Sequence, residues 1–216
     1  MQRLSDIATI SMGATPAPNG EGATYLRLGN VLAGAIVGQA NAGPPPAKGM
    51  DAKLDADDVV VRTRGPDLSA AVVGRDYAGS HATVELFVVR VNRAIAEPAY
   101  VVAYINQPTV QAALAQGAQG TGFVRLNRPE LADLEIPLPP LAQQQIIGSL
   151  ALEGRQEAKI LNEIAERRAR LHTELLHLAM AEARAGEIHP QHERNTGLYD
   201  AVTSSALPSV PKQKVP

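Results

Sequence analysis

The 216-residue chain is 45% hydrophobic, 19% charged and 3% aromatic, with a formal net charge of −2. That balance excludes wholesale disorder and the indiscriminate coating of nucleic acid that strongly basic proteins perform. Cysteine is absent, which removes disulfides and thiolate metal sites. Residues 1–6 carry no apolar signal core, and no run approaches the ~20 apolar residues of a membrane helix. The expectation is a cytoplasmic chain with no membrane partner.

Residues 1 to about 93 read as short strands and turns. β-rich runs at 25–31, 59–63 and 83–91 alternate with Gly/Pro/Asn clusters such as Gly43-Pro44-Pro45-Pro46. Residues 99–105 and 109–116 then take helical spacing, each behind a first-turn proline, Pro98 and Pro108. A Gly-rich loop from Gly117 to Gly122 leads to a strand at 123–126, and a last strand at 134–136 closes the domain. Pro137-Leu138-Pro139-Pro140 is the break.

Residues 142–185 hold no proline and are dense in good helix formers. With Ile147 at position a, Leu150, Leu161, Ile164, Leu171, Leu175 and Leu178 all fall on a and d positions, interrupted by Gly154, Glu157 and Arg168. A single helix of that length is a rod of roughly 65 Å, longer than the domain before it, so its seam calls for a partner helix. Two shorter helices folding back at Gly154 are the alternative. From His189 the composition turns to Pro, Ser, Thr and Gln, the pattern of a disordered tail. The organisation expected is α+β: a mixed-sheet domain over 1–138, a long coiled-coil helix over 139–187 and a tail over 188–216.

Catalytic signatures are missing. There is no Gly-rich cofactor loop with an Asn/Asp-Pro-Pro-aromatic segment, as a DNA methyltransferase needs, and no Gly-Lys-Ser/Thr phosphate loop. Asp67 with Glu157 and Lys159 has the residue types of a nuclease metal site, but the latter two lie on the long helix. His172 and His177 are five apart and do not share a helical face. The reading is a protein that is not an enzyme, with no metal and no cofactor.

Polar side chains cluster instead at the loop ends of the first domain. Arg62 and Arg64 lie two apart at the end of a Val-rich strand, which puts both on one face. Arg27 lies on the preceding β-rich run. Arg75, Ser80, His81 and Thr83 follow across a turn, and Gln119, Thr121, Arg125 and Asn127 bracket the Gly-rich loop. Arginine reads guanine bidentately, Asn or Gln reads adenine, and a Gly-rich loop lets backbone approach phosphate. These eleven residues are the candidate contacts to double-stranded DNA; taken singly, each also fits a solvated loop.

The order of segments resembles one family. Leu4-Ser5-Asp6-Ile7-Ala8 with Gly13-Ala14-Thr15-Pro16, Tyr25-Leu26-Arg27-Leu28-Gly29-Asn30-Val31, and Asp58-Val59-Val60-Val61-Arg62-Thr63-Arg64-Gly65 are similar to the recognition domain of Type I restriction–modification specificity subunits. The most specific stretch is Leu131-Ala132-Asp133-Leu134-Glu135-Ile136-Pro137-Leu138-Pro139-Pro140-Leu141, running on to Gln144 and Ile147, which resembles that family's passage into its spacer helix. Asp57 and Gln143 depart from the family's usual Gly and Glu. The resemblance covers roughly 1–185 and one of the two recognition domain–helix repeats of a full subunit.

It implies a DNA-reading half-subunit that directs a methyltransferase subunit, with or without a restriction subunit, and pairs as a homodimer through the long helix. Two identical heads related by a two-fold axis would read an interrupted palindrome, spaced by at most ~19 base pairs for a ~65 Å rod. A regulatory half-subunit that pairs with a full-length subunit and blocks or exchanges it, and a Type II-like nuclease, are the competing readings.

Overall fold

The computed structural model describes residues 1–48, 52–65, 67–117 and 125–185. The chain divides into two compact units, Met1–Leu161 and Asn162–Pro216. The first holds all the described strands, four short helices and the start of a long one; the described part of the second is helical. The tail expected over 188–216 lies outside the described residues.

The chain opens with β1 (Gln2–Arg3), α1 (Leu4–Ile7) and β2 (Ala8–Met12). Then come β3 (Ala23–Leu26), β4 (Val31–Leu32), β5 (Ala35–Ile36), β6 (Asn41–Gly43), β7 (Val59–Arg62), β8 (Ala70–Val72), β9 (His81–Ala82) and β10 (Leu86–Val91). The last part is α2 (Pro98–Ile105), α3 (Pro108–Gly117), α4 (Arg128–Ala132), β11 (Glu135–Ile136) and α5 (Leu141–Ala185). This is the expected α+β architecture with a long C-terminal helix.

A four-stranded antiparallel sheet in the order β2-β10-β7-β8 forms the centre. A second sheet, β6-β3-β9, is mixed, with β3 antiparallel to β6 and parallel to β9. The run Val59-Val60-Val61 is continuously apolar because the central sheet is covered on both faces. Val59 and Val61 pack with Phe87, Val89, Leu4, Ile7 and the α2 residues Val101, Val102 and Ile105. Val60 faces the other way, onto Leu26, Ala71, Leu86 and Val88. The free edge of β8 and the segment before it are covered by side chains. Asn106 takes both polar groups of Ala70, accepting from its N–H at 2.9 Å and donating to its carbonyl at 2.8 Å. Gln111 does the same for Leu68. An edge whose backbone is already paired cannot recruit another strand.

Two sequence expectations change, and a third lies partly outside the described residues. The run at 25–31 is not one strand: a 3-10 turn at Leu28–Asn30 breaks it. Asn30 Oδ1 accepts from Arg27 N at 2.9 Å and its amide donates to Val37 and Gln39 carbonyls, a local network that competes with the ladder. The run at 83–91 begins as a turn, with Leu86 N donating to Thr83 O at 2.9 Å, and becomes strand at Leu86. The strand at 123–126 is described only from Arg125, which forms an isolated antiparallel bridge with Arg64.

α5 is one helix through Gly154, so the fold-back alternative does not occur. Its first turns dock on the rest of the first unit through one face. Gln144, 1% exposed, accepts from Glu97 N at 3.0 Å and donates to the carbonyls of Pro139 and Ile95. One turn on, a Cβ on Gly148 would lie 2.9 Å from Ala99 Cβ and 3.0 Å from Tyr100 N, so only glycine permits this approach to α2. Seven residues later, Arg155 reaches Gly34. All seven seam residues, Ile147, Leu150, Leu161, Ile164, Leu171, Leu175 and Leu178, are exposed along the helix.

Candidate nucleic-acid interface

Five stretches of the chain converge on one cleft of about 430 Å³, lined by Pro16, Arg27, Thr63, Arg64, Thr83, Val84, Glu85 and Arg125. Backbone hydrogen bonds bring them together. Thr63 donates to the Glu85 carbonyl twice, from its N–H at 3.1 Å and its hydroxyl at 2.9 Å. On its other side the Thr63 carbonyl accepts from Leu126 N at 2.8 Å, which sets Arg125 against Arg64. Thr83 N donates to Leu26 O, which places Arg27 at the same opening. Gly13 makes this crossing possible, because a Cβ there would fall 2.0 Å from the Thr83 carbonyl oxygen.

The lining is cationic despite the acidic chain: three guanidiniums face one carboxylate. Arg27, Arg64 and Arg125 are exposed, and Arg64 Nη2 donates to Glu85 Oε1. Thr63 and Thr83 are buried. Thr83 lines the cleft, but its Oγ1 is itself buried and has no hydrogen-bond partner. Such an opening suits a polyanion edge that offers both acceptors and donors.

Of the residues singled out from the sequence, Arg27, Arg64, Thr83 and Arg125 meet in this cleft. Arg62 does not share the exposed face with Arg64. It is 8% exposed, donating to the Val31 carbonyl and to Asp67, both at 3.3 Å. The chain bends between the two arginines at Thr63, just past the end of the strand, and a Cβ at Gly65, where φ is 126°, would strike the Arg62 guanidinium. Ser80 is buried and accepts from Thr24 Oγ1 at 2.9 Å. His81 stacks at 5.7 Å on Tyr25, whose buried hydroxyl, its pKa raised by desolvation, donates to Pro44 O.

Arg75 is exposed on a separate 3-10 turn. Asn127 is the N-cap of α4, exchanging hydrogen bonds with Glu130 in a capping box. Gln119 and Thr121 lie outside the described residues. Pro16, Thr63, Val84 and Glu85 are the cleft residues that sequence reasoning missed. An Asn-x-x-Glu signal was there for Asn127, but no local pattern marks Glu85.

Asp67 pairs with Arg62, and Glu157 is exposed on α5. Among the described residues no group of three or more His, Asp or Glu side chains is arranged to hold a metal. Among the same residues no helix is long and apolar enough to cross a membrane.

The first unit is an α+β domain with a cationic opening, and its chain continues into a long helix. A family model described as the Type I restriction modification DNA specificity domain matches residues 1–165, and the chain belongs to that family. No curated protein sequence matches it.

Similar solved structures include a chain from work on complex assembly and conformational transition of the type I R-M system. It is 20% identical with a TM-score of 0.57, the match covering 83% of this chain and 43% of that one. The HsdS subunit from Thermoanaerobacter tengcongensis is 18% identical with a TM-score of 0.52, covering 74% and 38%. The Type I restriction-modification system S subunit from M. genitalium is 14% identical with a TM-score of 0.52, covering 82% and 44%. At these identities the likeness is one of fold. The chain spans less than half the length of each.

Proposed function

We propose that this chain reads a specific sequence in double-stranded DNA and directs a partner methyltransferase, with or without a restriction subunit, to that site. The observation that carries the proposal is the cleft that gathers Arg27, Arg64 and Arg125 beside Thr83 in a domain of the DNA specificity family. Arg27, Arg64, Thr83 and Arg125 contact DNA, joined by Gln119 and Thr121 of the Gly-rich loop, by Asn127 after it and by Arg75 on its separate turn. Arg62, Ser80 and His81 act indirectly, through their contacts with the Val31 carbonyl, Thr24 and Tyr25 respectively. The missing cofactor and phosphate-loop motifs leave catalysis to the partner.

Pairing uses the exposed seam of α5. A helix with Leu or Ile at successive a and d positions gains most by burying them against another such helix. A second copy of the chain supplies one, in antiparallel two-fold register, and brings a second reading head. The test is binding of the purified chain to a random-sequence duplex pool, followed by sequencing of the retained DNA. Enrichment of a defined half-site supports the proposal; retention with no sequence preference refutes it.

A further inference from the structure

Among the described residues Glu85 is the single carboxylate lining the cleft, and its position is tightly held. Both the N–H and the hydroxyl of Thr63 bond to its carbonyl, and Leu86 beside it is fully buried. Its side chain is 29% exposed against 57% for Arg64, to which it is paired. A surface meant only to attract phosphate gains nothing from a carboxylate at its centre, since like charges repel there. A surface that reads bases does gain.

The major-groove edge of a G·C pair presents an acceptor (guanine N7), a second acceptor (O6) and then a donor (cytosine N4–H₂). A guanidinium beside a carboxylate presents donors followed by an acceptor, the complement of that row. Arg64 has five N–H groups, so bonding to Glu85 leaves others free to fork onto guanine. An A·T pair offers an acceptor, thymine O4, where G·C offers the cytosine amino group, and sets it against Glu85. The carboxylate therefore rejects the wrong pair as well as accepting the right one.

Resting on the DNA-reading function above, we propose that Arg64 and Glu85 act as one unit that reads a single G·C base pair. Arg64 donates to guanine O6 and N7 while Glu85 accepts from N4–H₂ of the paired cytosine. The ion pair in the free protein holds both side chains in the arrangement the base pair requires, which lowers the ordering cost of binding.

The experiment selects duplexes from a random-sequence pool with the full chain and with Glu85→Gln. The wild-type half-site should contain a G·C pair at which Glu85→Gln loses about tenfold discrimination against A·T, with other positions unchanged. A uniform change in affinity for every sequence would make Glu85 a mere counter-charge and overturn the proposal, as would unchanged discrimination at all positions. A second measurement serves if the variant folds poorly. Replacing the contacted cytosine by 2-pyrimidinone, which lacks the 4-amino group, should weaken wild-type binding about tenfold. No effect at any cytosine of the site overturns the assignment. A wild-type chain that selects no sequence at all refutes the DNA-reading function itself, an outcome distinct from both.

Discussion

Arg155 of α5 donates from Nη1 to the carbonyl of Gly34 at 3.2 Å, joining residues 121 positions apart. Gly34 sits in the Ala33–Gly34 turn between β4 and β5, where both residues have positive φ, 48° and 82°. That turn type favours glycine at its second position, and a Cβ on Gly34 would also lie 2.9 Å from Arg155 Nε. The same hairpin supplies, at Val31, the carbonyl that holds Arg62. One short hairpin thus connects the start of the helix to the strand that ends at the cleft.

Arg155→Ala should destabilise the chain by about 1–2 kcal/mol, the worth of a charge-assisted hydrogen bond. Burial lowers the pKa of this guanidinium without discharging it, so its contribution should not vary across the neutral range. Urea titration measures this. An unchanged midpoint would mean that the contact adds nothing to the docking of the helix.

Gly148→Leu should separate the first turns of α5 from α2, because even the first carbon of a side chain overlaps Ala99 and the Tyr100 backbone. Forced overpacking of this kind costs about 1–3 kcal/mol. Hydrogen exchange at Glu97 N, which donates to Gln144, should rise in the variant. Protection equal to wild type would show that the helix accommodates the side chain in place.

Arg62→Ala and Arg125→Ala should differ in kind. Removing Arg62 leaves the Val31 carbonyl and Asp67 without their cation, a loss of about 2–4 kcal/mol in folding stability. Removing exposed Arg125 should leave stability intact and weaken DNA binding. If it meets phosphate, the salt dependence should fall by about one charge; if a base, the loss should appear on the target alone. Stable Arg62→Ala protein with altered sequence preference would put Arg62 on the DNA after all.

Leu171→Asp should dissociate the helix-paired assembly, since the exposed seam residue would carry a charge into an apolar interface. Sedimentation velocity distinguishes the species. An assembly of unchanged mass would show that pairing uses another surface.

Two identical heads related by a two-fold axis should mark an interrupted palindrome on both strands, with a fixed spacer under ~19 base pairs as the helix length bounds it. Mapping modified bases in cells that carry this chain with its methyltransferase tests that. A single asymmetric motif would replace the homodimer by pairing with a different subunit.

Local patterning by itself determined the helices at α2, α3 and α5, the Val-rich strand β7 and the seam. Each depends on side chains a few residues apart, and periodicity records such relationships directly. The break at Pro137–Pro140 was legible for the same reason. What only the tertiary structure decided was which loop residues share a surface. Arg62 and Arg64 are two apart, yet one is sealed under Val31 and the other opens into the cleft, because the strand ends and the chain bends at Thr63 between them. Glu85 joined the site through the Thr63 backbone, and Arg27 through Thr83 and Leu26. These contacts link segments far apart in sequence, made by single hydrogen bonds and close packing that leave no repeating trace in the chain.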